Sequence, residues 1–438
     1  MATIAENLQK VRNVKSALMT SINAKNEGAI TNSTPFSAYP SAIDAIEVGG
    51  STTGGGSSDF SNYTIQEQLT IAEYTDTDYN PLKAVKKVYI PENITSVGSF
   101  SGCPNLEEVI IDSNAICVFT DNSNFAGCTK LVKARLEGAE SLSDNIFSGC
   151  TSLSDVTLPS ILNDIPTKAF YNCSSLESIS LPSVTGLSFS SFDGCEKLSA
   201  ITLPSSLVSI KSNCFYNCIS LKSISIPKRV SSIGTNAFHN CSSLSAVTFS
   251  TSLLTSLSDA CFQNCPSLTG ITIPNSATSL GGSCFSDCSG LTSVTIGNSV
   301  TSLGNSCFRY CSSLTSVSIP ESVTSIDGWC FYGCSKLASV IIPDYVTSLP
   351  SYCFAYCTSL SSAIIGNSVT SIGSSCFSYC SKLTSVTCKA TTPPTLDSSV
   401  FNKSTSLSAI YVPAGSVNAY KSATNWSKYA DKIQAITS

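Results

Sequence analysis

The chain has 438 residues, a formal net charge of -5 and 12% charged residues. So weakly charged and mildly acidic a surface is poorly matched to phosphate backbones, so no nucleic-acid partner is expected. No apolar run is long enough to span a bilayer, so no membrane insertion is expected. The start "MATIAENLQKVRNVKSALMT" has no basic end followed by an apolar block, and 22 cysteines beside such a start point to synthesis in a reducing cytosol.

Residues 1–47 are expected to form a small helical module for attachment or oligomerisation. "TIAE" offers a capping box from Thr3 to Glu6. Ile4, Leu8, Val11, Leu18 and Ile22 then fall on heptad core positions, with Lys15 interrupting. So short a helix is marginal alone. It either docks on its own chain or joins a bundle such as a homotrimer. "TPFSAYPSAIDAIE" follows, and residues 48–62, "VGGSTTGGGSSDFSN", read as a flexible Gly/Ser linker. Residues 63–99 are expected to cap the first rung as a degenerate repeat, with Tyr79 and Val85 standing where its Phe and Leu would fall.

From residue 100 to 412 the sequence repeats. Phe308 is followed by Cys311, Leu314, Val317, Ile319, Pro320, Val323 and Ile326, and Phe331 starts the pattern again. Fourteen such phenylalanines run from Phe100 to Phe401 at spacings of 22 to 25 residues. A fixed period of this size marks a solenoid. Within a unit, Cys376, Cys380 and Leu383 sit at i, i+4 and i+7, which predicts a short helix. Leu291, Val294 and Ile296 end in the period of a strand, and "SVTSLG" gives a second extended piece with Val300 and Leu303 pointing inward. The fold class predicted is therefore a solenoid of α+β repeats of about 23 residues, with short strands and short helical turns. Residues 413–438 are expected to close the far end, with Val417, Tyr420, Trp426 and Tyr429 over the last rung.

The cysteine pairs recur in register, as Cys284/Cys288, Cys307/Cys311, Cys330/Cys334, Cys353/Cys357 and Cys376/Cys380. Ala169 and Ala237 fill the first position of other repeats, which suits a small buried group. The favoured reading is an inert ladder of free thiols, packed in the core as small hydrophobes. Zinc would need four converging ligands, whereas these sulfurs fall in two rows. The single histidine, His239, looks exposed beside Phe238. Disulfides need Cβ atoms about 3.8 Å apart, closer than the roughly 4.8 Å between in-register rungs. Partial disulfides and metal remain the alternatives. Cys117 and Cys388 stand outside the register.

The unit "F..C..L..V.IP..V..I....F" resembles the leucine-rich repeats of BspA-like bacterial surface proteins. The tail "LSAIYVPAGSVNAYKSATNWSKYADKIQAI" is similar to the closing segment of that family. Together these cover roughly residues 85 to 436. The resemblance implies a leucine-rich repeat fold and adhesion to proteins, glycans or other cells, without catalysis. The order "ATIAENLQKVRNVKSAL", "PFSAYPSAIDAI" and then glycines resembles N-terminal segments of tail-associated proteins of gut phages and prophages. That second resemblance implies attachment to a phage tail or baseplate protein. The chain would then be made in the bacterial cytoplasm and carried on the virion. The alternative is a bacterial cell-surface or secreted adhesin, or a purely structural repeat protein.

No catalytic constellation is present, because one histidine leaves no oriented triad and no phosphate-binding glycine loop precedes a helix. A non-enzyme without cofactor or metal is expected. Two surfaces are candidates for binding. The outward strand row reads Ser180, Thr202, Ser225, Thr248, Thr272, Thr295, Ser318, Ile341, Ile364 and Thr387, which suits an ordinary strand surface as well as a glycan. The second is aromatic. Tyr310, Tyr332, Tyr356 and Tyr379 lie beside the repeat phenylalanines, with Arg309, Trp329, Tyr345 and Tyr352 near them in sequence. Exposed Tyr, Trp and Arg are enriched at binding hot spots.

Overall fold

The structure is a computed structural model that describes residues 64–65, 85–90, 92, 94–250 and 253–436. The heptad positions Ile4, Leu8, Val11, Leu18 and Ile22, the linker at 48–62 and Tyr79 lie outside the described residues.

The repeats each make one turn of a coil from two short extended pieces and a tight turn segment, and copies of each piece pair between neighbouring turns along stretches of the coil. The first strand of each turn builds one set of parallel ladders. Ser223–Ile226 pairs with Ala246–Phe249, and Ser339–Ile341, Ser362–Ile365, Ser385–Cys388 and Ala409–Val412 continue the series. The second strand builds another set. Eight of its copies, from Asp164–Ile165 to Ser325–Ile326, form one parallel sheet. Register is kept because Ile, Leu and Val alternate inward against polar neighbours, as in the exposed-buried alternation of Ser223–Ile226. A slip by one residue would turn the apolar row to solvent.

The third piece carries the phenylalanines. Phe100 to Phe401 form one continuous stack, with ring centroids from 5.1 Å (Phe238–Phe262) to 5.9 Å (Phe377–Phe401) apart. Val300, Leu303 and the repeat leucines lie in the same core.

The predicted short helix is not what forms here. Cys376, Cys380 and Leu383 do turn inward, as do Cys284, Cys288 and Leu291, but the backbone between them is a run of tight turns. The reason is the destination of the N–H groups. In a helix the Phe377 and Tyr379 amides would bond four residues back; here they donate to Val400 O at 2.9 Å and Asn402 O at 2.8 Å in the next turn. Between Cys284 and Cys288 the Phe285 and Asp287 amides do the same, to Cys307 O and Arg309 O, each at 2.8 Å. The residues two before and two after the phenylalanine take left-handed φ, as at Ser375 (55°) and Tyr379 (59°), which aims alternate amides along the coil axis. Among the described residues the α-helix is Val417–Ser422, in the closing segment.

That segment seals the last turn. Tyr420 and Trp426 are fully buried, and Val417 and Tyr429 pack against the core at its margin. The Tyr420 hydroxyl donates to Ala390 O at 2.8 Å, and Trp426 Nε1 donates to Pro394 O at 2.7 Å. Ile433–Ala435 then pairs with Ala409–Val412, covering the open strand edge.

Hydroxyls explain much of the Ser and Thr content. Thr278, Thr301 and Thr324 donate to the carbonyls of Thr255, Thr278 and Thr301, so one threonine per turn ties a rung to the rung before it.

Candidate functional site on the turn edge

The two cysteine rows do different things. All 22 cysteines are free and buried. The expectation of one inert ladder of small hydrophobes needs correcting for the second row, which includes Cys288. The second cysteine of each pair donates its thiol to the phenylalanine carbonyl of the preceding turn. Cys288 donates to Phe262 O at 3.1 Å, Cys311 to Phe285 O at 3.1 Å and Cys334 to Phe308 O at 3.2 Å. Cys357 and Cys380 follow, to Phe331 O at 3.3 Å and Phe354 O at 3.2 Å. The carbonyl is buried between turns; those of Phe285, Phe308, Phe331 and Phe354 also accept a backbone amide, from Cys288, Cys311, Cys334 and Cys357, so the thiol is a second donor that a plain hydrophobe would not supply. In the last repeat Ser404 replaces the cysteine and donates to Phe377 O at 2.6 Å. The first row fills space. Its positions hold Ile146, Ala169, Ser191, Ala237 and Val400 as well as Cys284, Cys307, Cys330, Cys353 and Cys376. Burial pushes the thiols of Cys214 in the first row and Cys380 in the second up to about 12. Cys388 accepts from the Tyr420 hydroxyl at 3.1 Å, and Cys117 is buried at a bridge to Ala139. Among the described residues no three metal-ligating side chains converge.

His239 is not the exposed side chain expected. It is half-buried and stacked on Tyr216, with centroids 4.7 Å apart and planes 9° apart. Burial holds its pKa below the usual value, so it is neutral at pH 7. It occupies the position just after the phenylalanine, where the neighbouring repeat's Tyr216 leaves a flat face to cover.

The aromatic residues sit where the turn backbone is least hospitable to them. The position two after the phenylalanine is left-handed in every repeat, with φ from 55° at Asn172 to 77° at Gly149. Most repeats meet that demand with Gly102, Gly127, Gly149, Gly194 and Gly333, or with Asn172, Asn217, Asn240 and Asn264. Tyr310 (57°), Tyr356 (61°) and Tyr379 (59°) stand in the same slot. Two before the phenylalanine, Trp329 (54°) and Tyr352 (60°) take a left-handed slot that is Ser283, Ser306 or Ser375 in nearby turns. A bulky side chain there costs about 1–2 kcal/mol.

These side chains make a ridge of two ring groups, a run of four tyrosines and a Trp–Tyr pair. Tyr310 meets Tyr332 edge-on at 5.4 Å, Tyr332 meets Tyr356 at 5.2 Å, and Tyr356 stacks on Tyr379 at 4.5 Å. Trp329 stacks on Tyr352 at 5.4 Å. Arg309 caps the first end, its guanidinium 4.8 Å from the Tyr310 ring centre and 5.5 Å from that of Tyr332. Tyr310, Trp329, Tyr356 and Tyr379 are each close to 40% exposed, so the ridge faces solvent. Burial raises the Tyr332 pKa, with the Tyr310 and Tyr356 hydroxyls adding to the shift and Arg309 opposing it. Burial likewise raises that of Tyr356, helped by Tyr379.

Tyr345 makes none of these ring contacts. It is 66% exposed on the segment leading into Ser348–Leu349. On the outward strand row, Ser180, Thr202, Ser225, Thr248, Thr272, Thr295 and Ser318 are exposed, and Ile341 is 56% exposed opposite half-buried Ile364, which half-buried Thr387 faces in turn. The left-handed slots were illegible from periodicity. Their signal was the Gly and Asn of the other repeats at the same offset from phenylalanine.

The description "BspA type Leucine rich repeat region (6 copies)" matches residues 77–199, 185–315 and 301–428. A leucine-rich repeat protein from Bacteroides ovatus ATCC 8483 is 27% identical, with a TM-score of 0.65 over 81% of this chain and 85% of that one. A leucine rich cell surface protein from Faecalibacterium prausnitzii A2-165 is 26% identical, with a TM-score of 0.39 over 64% of this chain and 78% of that one. The T. pallidum leucine rich repeat protein is 33% identical, with a TM-score of 0.31 over 42% of this chain and 75% of that one. No curated protein matches. The repeat unit, the parallel two-strand coil and the matched span, which exceeds half of the chain, place this protein in the BspA-type leucine-rich repeat family.

Proposed function

We propose that this chain is a non-catalytic binding protein that uses the turn-edge ridge to hold a protein or glycan displayed on a cell surface. One observation carries the reading. Five aromatic side chains, Tyr310, Trp329, Tyr352, Tyr356 and Tyr379, occupy left-handed positions that most other repeats give to Gly, Asn or Ser, with Lys168, Ala260, Asp287 and Lys403 the exceptions. Folding alone favours the smaller residues there, so the aromatics are retained for what they present to solvent. The reading needs no cofactor or metal.

The test is binding of the labelled full-length chain to panels of bacterial and animal cells, beside the triple variant Tyr310→Asn, Tyr356→Asn and Tyr379→Asn. Asn already serves at four equivalent positions, so the variant keeps the coil. Binding is expected to fall by about tenfold or more. Unchanged binding sinks the reading.

A tail-associated role would add display on a phage particle, with residues 1–47 as the attachment module. Its support is the N-terminal sequence pattern. Light scattering on the full-length chain and on a chain starting at Asp59 tests it: a trimer that becomes a monomer on truncation supports particle assembly, and two monomers remove the trimeric bundle.

A further inference from the structure

Arg309 has no ion-pair partner among the described residues, and its buried Nε makes no hydrogen bond. Some basic side chains are ion-paired. Arg135 is paired with Asp155 through both carboxylate oxygens, and Lys87 and Lys133 share Glu108. The acidic residue one turn before Arg309 is Asp287, whose Oδ2 accepts the Ser286 hydroxyl at 2.7 Å. Arg309 is instead held against the Tyr310 and Tyr332 rings, and with Nε buried the Nη groups are the donors left to a ligand. A planar, preset guanidinium with free donors is a receptor for a carboxylate.

Ring orientation indicates what carries that carboxylate. A sugar stacks on a free aromatic face. Here Tyr356 and Tyr379 are turned face to face, with planes 7° apart, and Trp329 and Tyr352 likewise, at 6°. Stacking takes up one face of each of these four rings, which reduces the flat area left to a sugar and leaves ring edges and phenol hydroxyls beside it. Those suit the amides and apolar side chains of a polypeptide.

We propose that Arg309, Tyr310 and Tyr332 form a subsite for the carboxylate of an acidic side chain on a protein partner, whose flanking residues lie along the edges of Tyr356 and Tyr379. This rests on the reading of the ridge as a binding surface.

The full-length chain is applied to an array of Asp- and Glu-containing peptides, to the same array after methyl esterification, and to an array of sialylated and uronate-containing glycans. The expected result is signal on the acidic peptides that falls by about tenfold or more on esterification. Arg309→Met should lower the unesterified signal to the same level, and Arg309→Lys should keep part of it. Asp287→Asn should leave it intact. Signal indifferent to esterification, signal confined to acidic glycans, or no carboxylate-dependent signal on either array overturns the proposal. If the triple Asn variant loses cell binding while esterification has no effect, the carboxylate subsite fails and the binding surface stands. If that variant binds cells normally, the binding surface itself fails.

Discussion

Tyr310 lies across Gly333: a Cβ placed on Gly333 would come within 2.5 Å of Tyr310 Cδ1. The glycine in one turn thus makes room for the ring of the turn before it. Gly333 also needs its left-handed φ of 74°, a demand it shares with Gly102 at 70°, where a Cβ would meet nothing within 4 Å. Gly102→Ala should therefore cost about 1 kcal/mol, the backbone term alone. Gly333→Ala should cost more, about 2 kcal/mol, and should also weaken ligand binding by displacing Tyr310. Denaturant midpoints of the two variants measure the difference. Equal shifts would mean that the ring does not depend on Gly333.

The ridge tyrosines should be dispensable for folding. Tyr310→Asn, Tyr356→Asn and Tyr379→Asn trade a poorly tolerated left-handed residue for one that tolerates it, at the loss of mutual ring contacts worth about 0.5–1.5 kcal/mol. The two effects oppose each other. Each single variant is expected to unfold within about 1 kcal/mol of the parent. A drop of several kcal/mol in a melting series would show that the aromatics serve the fold rather than a ligand.

The two cysteine rows predict an order of tolerance. Cys334 donates to Phe308 O, so Cys334→Ala leaves that buried carbonyl with the Cys311 amide alone and opens a void, at a cost of about 1–3 kcal/mol. Cys288→Ala should cost the same, since Cys288 serves Phe262 O in the same way. Cys334→Ser keeps the donor, as Ser404 does, and should cost less. Cys307→Ala changes a space-filling position that holds alanine at Ala169 and Ala237, and should also cost less than Cys334→Ala. Chemical denaturation of the variants gives the ranking, and a Cys307→Ala cost above that of Cys334→Ala would remove the distinction between rows.

Burial of the thiols sets a pH dependence. Below their ordinary value of 9.0, folded and unfolded chains both hold the protons, and these groups leave stability unchanged with pH. Above it the unfolded chain releases protons that the folded chain keeps, since Cys214 and Cys380 titrate only at about 12. Stability should fall as pH rises from about 9 towards about 12, summed over many cysteines. The native chain should also react with almost no thiol reagent at pH 8, and the denatured chain with all 22 equivalents. Rapid native labelling, or a midpoint that is flat between about pH 8 and about pH 10.5, would contradict the buried-thiol core.

The repeat, its register and the inward set were legible in the sequence, because a side chain's facing repeats with fixed period and the core accepts only apolar rows. Phe308, Leu314, Val323 and Ile326 could be placed in the core from spacing alone, and the coil buries them all. The turn was not legible. Cys376, Cys380 and Leu383 have the spacing of a helix face, yet tight turns satisfy the same inward pattern, and the choice between them depends on where the Phe377 and Tyr379 amides find acceptors. Those acceptors lie in the next turn, 23 residues away in sequence. The thiol of Cys288 was likewise placed inward by spacing, but its acceptor, Phe262 O, belongs to the turn before and has no signal in the repeat pattern. The same holds for the site. The sequence supplied the aromatic residues, but only the stacking of turns decided that Tyr332 bridges Tyr310 and Tyr356, that Tyr345 stands apart, and that Arg309 meets two rings and no carboxylate. Periodicity fixes which way a side chain faces within one turn; contacts between turns depend on backbone φ and on the size of the neighbour one turn away, and these exist only once the coil has closed.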